Sequence, residues 1–199
     1  KDKPQEARDP QREFFEGYLE KQMLIAMPGM LDPNFARSVT LLCQHSDEGA
    51  IGITINRQSD FSLGEILEQL DLVCEDEGIR NATVLEGGPV HPERGFDLHT
   101  PTTGFESSLE ITPGIMVTTS RDVLAAIAKG DGPEQFVVAL GYAGWGDGQL
   151  ESEMRENAWL SVPIDRGIVF DLPLKERWEQ AVSKLGVDIW QLHGVGGHA

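Results

Sequence analysis

Apolar residues along this chain fall into short runs whose spacing alternates between two periods. Met23-Leu24-Ile25-Ala26-Met27 is continuous and ends at Pro28-Gly29, the pattern of a buried strand. Residues 39–45 and 51–56 flank Ser46-Asp47-Glu48-Gly49 and predict a hairpin. In its second arm Ile51, Ile53 and Ile55 share one face, while Gly52 on the other signals a close neighbour or a bulge. A helical period follows over 63–70. Ser62 and Glu65 form a capping box there, with Phe61 and Ile66 as the hydrophobic staple. Ser120 or Thr119 caps a second helix, which Gly130 ends. Residues 136–140 are apolar on both faces and mark a central strand. Further strands are predicted at 83–85, 94–99, 115–118, 159–162, 168–170 and 188–192. Asp32-Pro33 opens one helical turn, residues 71–80 read as an acidic loop, and Pro173 stands near the start of a last helix ended by Gly186. Residues 1–17 read as a polar, mobile arm and 194–199 as a glycine-rich tail, leaving 18–199 as one domain. Strands outnumber helices without strict alternation, which favours an α+β fold with a mixed or antiparallel sheet.

The stretch 136–160 ties these patterns together. It reads as a buried strand, a glycine-rich loop from Gly141 to Gly148, then a short acidic helix. Such a junction can cradle a phosphate on free backbone N–H groups. The glycine spacing is neither a dinucleotide fingerprint nor a P-loop, however, and Asp147 is placed to cap the helix with the chain's own carboxylate. Leu150, Met154 and Ala158 share the core-facing stripe, and Gln149, Glu153, Glu156 and Asn157 the polar face. Trp145 and Trp159 flank that helix as possible walls of a pocket.

Charge narrows the function classes. The formal net charge is -17, and residues 47–110 alone hold 14 acidic side chains against three arginines. A nucleic-acid backbone would be repelled, since binding it draws on clustered Lys and Arg. There is no apolar run of the ~20 residues a membrane helix needs. Two cysteines and no visible leader point to a reducing cytoplasm with free thiols rather than a disulfide.

Motifs scattered through the chain carry a family resemblance. Leu24-Ile25-Ala26-Met27-Pro28, Asp32-Pro33-Asn34-Phe35, Asn56-Arg57, Gly87-Gly88-Pro89-Val90, Arg94-Gly95-Phe96, Gly141-Tyr142-Ala143-Gly144-Trp145, Gly148-Gln149-Leu150-Glu151 and Asn157-Ala158-Trp159-Leu160 resemble the bacterial AlgH/YqgE family over residues 18–199. Gln58 departs from the Pro that often follows Asn-Arg there. The resemblance implies an α+β domain whose bifurcated, mixed sheet includes a small barrel-like part surrounded by helices. Some members carry a transcriptional-regulator label, and the resemblance implies no particular catalysis.

The candidate site residues come from two places. Around Gly87-Gly88, Arg94 can pair a carboxylate or phosphate, the stronger reading being a buried structural pair. His91 and His99 suit titration near neutrality. Asp97 and His99 share a strand face at roughly 7 Å, too far for a direct hydrogen bond. Cys43 and His45 are likewise on one face, beyond the reach of a nucleophile–base pair. The polar face of the 149–157 helix supplies the rest. The expected ligand-binding set is Arg94, His99, Gln149, Glu153 and Asn157, with no metal and no cofactor. The expected role is a cytoplasmic regulatory module that binds a partner protein or small ligand. The alternatives are an enzyme acting on a small anionic substrate and, less favoured by charge, a DNA-binding regulator.

Overall fold

The computed structural model describes residues 19–186 and residue 188. The N-terminal arm, the strand expected at 188–192 and the glycine-rich tail lie outside the described residues, Asp188 excepted.

The fold is α+β. Its sheet curls into an antiparallel half-barrel and forks. The strand order is β10 (Trp159–Pro163), β1 (Gln22–Ala26), β2 (Val39–Ser46), β3 (Gly49–Thr54), β9 (Phe136–Trp145), β6 (Val90–His99), β8 (Ile115–Thr118) and β7 (Ser108–Thr112). Every pairing along that path is antiparallel. A side branch leaves β9, with β5 (Thr83–Glu86) parallel to it and β4 (Gln58–Ser62) antiparallel to β5. The described helices are α1 (Leu63–Gln69), α2 (Glu77–Arg80), α3 (Arg121–Ala128), α4 (Gln149–Arg155), α5 (Arg166–Phe170) and α6 (Leu174–Ser183).

The fork is built from glycine. One edge of β9 carries β6, while the other is divided: Val138–Leu140 pair with β5 and Ala143–Trp145 with β3. Gly141 stands at the division with φ +75°. Gly87 joins the branches, donating its N–H to Leu140 O and accepting from Thr54 N–H, both at 2.8 Å. A Cβ on Gly87 would lie 2.3 Å from Gly141 O, one on Gly88 2.1 Å from Tyr142 C, and one on Gly141 2.4 Å from Gly88 O. These contacts forbid any side chain without a backbone shift. The left-handed Gly141 also slips the alternation of β9. Ala139 and Tyr142 face the interior of the curl, whereas Val138, Leu140, Ala143 and Trp145 face away from it. Against Gly141, β6 makes an excursion. Its register passes from Val90 opposite Tyr142 to Gly95 opposite Leu140, so His91 to Arg94 project outward.

Three apolar cores follow from that geometry. The first fills the curl with Ile25, Leu41, Ile53, Leu98 and Ala139, closed by α5 and α6 through Val169 and Trp178. The second lies under α1 and α3, where Leu67, Val123 and Ile127 meet Val84 and Val138. The third seats Leu150 of α4 on Leu24, Leu42, Ala143 and Trp159. Asn56 and Arg57 fasten the loop before β2. Asn56 Oδ1 accepts from Val39 N–H at 2.9 Å, and Arg57 donates to the carbonyls of Asn34 and Ala36.

Several expectations needed correction. The segment 168–170, read as a strand, belongs to helix α5, because Asp165 accepts from Gly167 N–H at 2.8 Å and Ile168 N–H at 3.3 Å and so starts a helix. The acidic loop 71–80 contains α2, capped by Asp76. Residues 141–145 form strand, not loop. Asp147 does not cap α4; Gly148 does so at φ 69°, while Gln149 Oε1 accepts from Gly146 N–H at 3.0 Å. Strands β4 and β7 had no expected counterpart: β4 has no alternating apolar face, and β7 offers only the short alternation of Leu109 and Ile111, of which Ile111 alone is buried. Gly52 has the close neighbour, a Cβ there meeting Thr40 Cγ2 at 2.6 Å, and the bulge falls opposite it at Cys43.

Candidate functional site

Helices α1 and α3 cover β6, β8 and β9 incompletely. Between them lies a cleft of about 500 Å³. That is within the ~300–1,000 Å³ typical of small-molecule sites. Phe61 of β4, Ile66 and Leu70 from α1, Leu124 of α3, and Val138 and Leu140 of β9 make its apolar walls. Its polar groups come from the strand ends and from the start of α3: Thr118, Thr119, Ser120 and Arg121, with Gln69 and Glu93 at the sides.

Asp97 lies within this lining. It belongs to β6, which has β8 along one edge and β9 along the other, so it sits in the interior of the sheet. Its neighbours across the strands are Thr118 and Val138. Asp97 is 2% exposed, and neither carboxylate oxygen has a hydrogen-bond partner among the described residues. Burial alone pushes its carboxyl well above the usual carboxylate range. A buried acceptor pair without a donor is costly to keep, by about 1–3 kcal/mol for one unsatisfied group.

The other charged groups near the cleft are already engaged. Arg121 donates to Leu70 O at 2.7 Å, tying the start of α3 to the end of α1. Ser120, the N-cap of α3, gives its hydroxyl to Asp122 Oδ1 at 2.5 Å instead of capping the helix. Asp122 accepts as well from Val123 N–H at 3.0 Å and Glu106 N–H at 2.7 Å. Its partial burial opposes the charge, but hydrogen bonds from Ser120 and the backbone hold its carboxyl below the usual range. The N-terminus of α3 thus already holds a carboxylate of the chain itself.

The five expected ligand-binding residues occupy separate places. Arg94 is exposed on the β6 excursion, its guanidinium 5.4 Å from the Phe96 ring centroid, so the buried carboxylate pair expected for it does not form. It lines a second, smaller concavity of about 300 Å³ with Cys43 and Tyr142. His99 is fully buried; Nδ1 donates to Thr100 O at 2.8 Å and Nε2 lies 2.6 Å from Thr118 Oγ1. Gln149 serves the Gly146 turn. Glu153 accepts from the indole N–H of Trp145 at 2.6 Å and of Trp159 at 3.3 Å. Those rings pack edge to face on each other, 5.8 Å between centroids, with Phe35 beside both. Asn157 ends α4 in the left-handed region at φ 57°. Gln149, Glu153 and Asn157 therefore share α4 and its end but no cleft with His99.

Cys43 and His45 do not share a face either. The bulge at Cys43 turns His45 toward α4, where Nε2 meets Glu151 Oε1 at 2.6 Å, while Cys43 packs on the first core. Burial pushes the Cys43 thiol up to about 12, which leaves it a poor nucleophile. Among the described residues no three His, Cys, Asp or Glu side chains are grouped to hold a metal ion. In the sequence Asp97 stands out only as a strand-face neighbour of His99. The available signal was an acid between Phe96 and Leu98 in a strand whose neighbours are apolar on both faces.

A curled, forked antiparallel half-barrel surrounded by helices makes this a small α+β protein. The chain belongs to the AlgH-like family, whose model matches residues 23–190. It is 51% identical to a UPF0301 protein of Xanthomonas campestris pv. campestris, over 91% of this chain and 96% of that one. A UPF0301 protein of Stenotrophomonas maltophilia is also 51% identical, over 90% and 96%. The solution structure of the AlgH protein from Pseudomonas aeruginosa superposes with a TM-score of 0.76 at 47% identity, covering 92% of this chain and 96% of that one. A crystal structure from Corynebacterium diphtheriae shares the fold at 19% identity, with a TM-score of 0.64 over 80% and 83% of the two chains. Among the described residues no helix is long and apolar enough to cross a membrane.

Proposed function

We propose that this chain is a cytoplasmic regulatory module that binds a small, mostly apolar molecule in the cleft between α1 and α3. One observation carries the reading: Asp97 is almost completely buried and unpartnered in the lining of an otherwise largely apolar cleft. Core acids are normally paired, and perturbed groups in clefts cluster at functional sites. Because Arg121 spans from α3 to Leu70, a ligand entering here would bear on the contact between the two helices. That contact is a means of reporting occupancy to a partner. Direct DNA binding is disfavoured by the charge of -17.

The test is chemical-shift mapping of the full chain against a fragment library of small aromatics. Binders should perturb the amides of Phe96 to Leu98, Thr118 to Ser120, and Leu124. Perturbations confined to the Arg94 concavity or to α4 would overturn the reading.

A further inference from the structure

The lining of the cleft also speaks to the kind of molecule it accepts, on the reading that this cleft is the binding site. We infer that the ligand is an organic amine: an aryl or alkyl body against Phe61, Leu124 and Leu140, with its ammonium group on the Asp97 carboxylate. Three observations carry this.

The unmet capacity of the cleft is for a donor. Both Asp97 oxygens accept nothing from the described residues, and the carboxylate has room for more than one N–H. An ammonium group supplies several donors and the opposite charge at one point.

An anion finds no comparable place. The start of α3 is held by Asp122, and the Arg121 guanidinium, which gives one N–H to Leu70 O, is exposed, where solvent screens its charge. A ligand carboxylate or phosphate would meet Asp97 inside the cleft and Glu93 at its side. The inferred ligand has the opposite charge to the small anionic substrate held as an alternative from the sequence.

The charges around Asp97 are few. From β6 come Glu93 and the buried His99, and from α3 Arg121 and Asp122; α1 presents only Ile66, Gln69 and Leu70 to the cleft, while β8 and β9 present no titratable group there. Binding an ammonium therefore means ionising Asp97. The ammonium stays protonated, the Asp97 carboxyl gives its proton to solvent, and an ion pair forms. One proton is released for each amine bound wherever free Asp97 is protonated, and affinity rises with pH through that range.

A matched series tests the inference: 3-phenylpropylamine, 3-phenylpropan-1-ol and 3-phenylpropanoic acid, titrated into the full chain by NMR and by calorimetry in two buffers of different ionisation enthalpy. The amine is expected to bind at least tenfold more tightly than the alcohol and to shift the amides of Phe96 to Leu98. The buffers should differ by the heat of up to one proton, and Asp97→Asn should remove the amine's advantage over the alcohol. Equal or tighter cleft binding by the alcohol or the acid overturns the amine inference and leaves the cleft as a ligand site. Failure of all three probes to shift the cleft overturns both. An amine preference that survives Asp97→Asn also sinks the inference, because another group would then be supplying it.

Discussion

At the scale of single residues, the buried acid makes the stability of the fold depend on pH. The folded-state value of Asp97 is raised, so the folded chain holds a proton that the unfolded chain releases above about pH 4. Stability should therefore fall as pH rises from the unfolded value toward the folded one, with a limiting slope of about 1.4 kcal/mol per pH unit. Asp97→Asn removes this dependence. Urea titrations at pH 5 and pH 8 should show the variant gaining on the parent at the higher pH; an unchanged difference would mean that Asp97 is not held protonated. Gly141 illustrates the opposite case, a residue whose absence of side chain is the requirement. Gly141→Ala meets a positive φ and the Gly88 carbonyl together, and should cost about 2 kcal/mol or more in the same assay. Both roles were hard to read in sequence. The glycines were visible as glycines, but the close approach that requires them comes from Gly87-Gly88, more than fifty residues away. Asp97 was visible as an acid in a strand, but its isolation depends on which strands lie on either side.

At the scale of elements, local chemistry made some segments legible and long-range pairing hid others. Helix α1 follows from Ser62, whose hydroxyl accepts from Glu65 N–H at 3.2 Å, as the capping pattern predicts. Helix α5 was missed because Ile168, Val169 and Phe170 have strand-like side chains, while the deciding cap, Asp165, precedes the apolar run. The fate of α4 turns on Glu153, read from sequence as a ligand group. Its carboxylate pins the helix to β9 through Trp145 and to β10 through Trp159. Glu153→Leu leaves two indole N–H groups without their acceptor and should destabilise by about 1–3 kcal/mol. Glu153→Gln, which keeps an acceptor oxygen, should lose much less. Equal losses in thermal melts would show that the charge matters and the hydrogen bonds do not.

At the scale of the whole molecule, one strand is common to everything. β9 contributes Ala139 to the first core, Val138 to the second and Ala143 to the third, and it borders both branches of the sheet. The cleft hangs from its first half and α4 from its second. The glycine fork between them should consequently be a seam in cooperativity as well as in topology. Backbone amides of Val138 to Leu140 and of Ala143 to Trp145 answer to different neighbours, so they need not open in the same event. Native-state hydrogen exchange should divide β9 at Gly141 into two protection classes, and a ligand in the cleft should slow the first class more than the second. Uniform protection along the strand, with or without ligand, would mean that the two halves open as one.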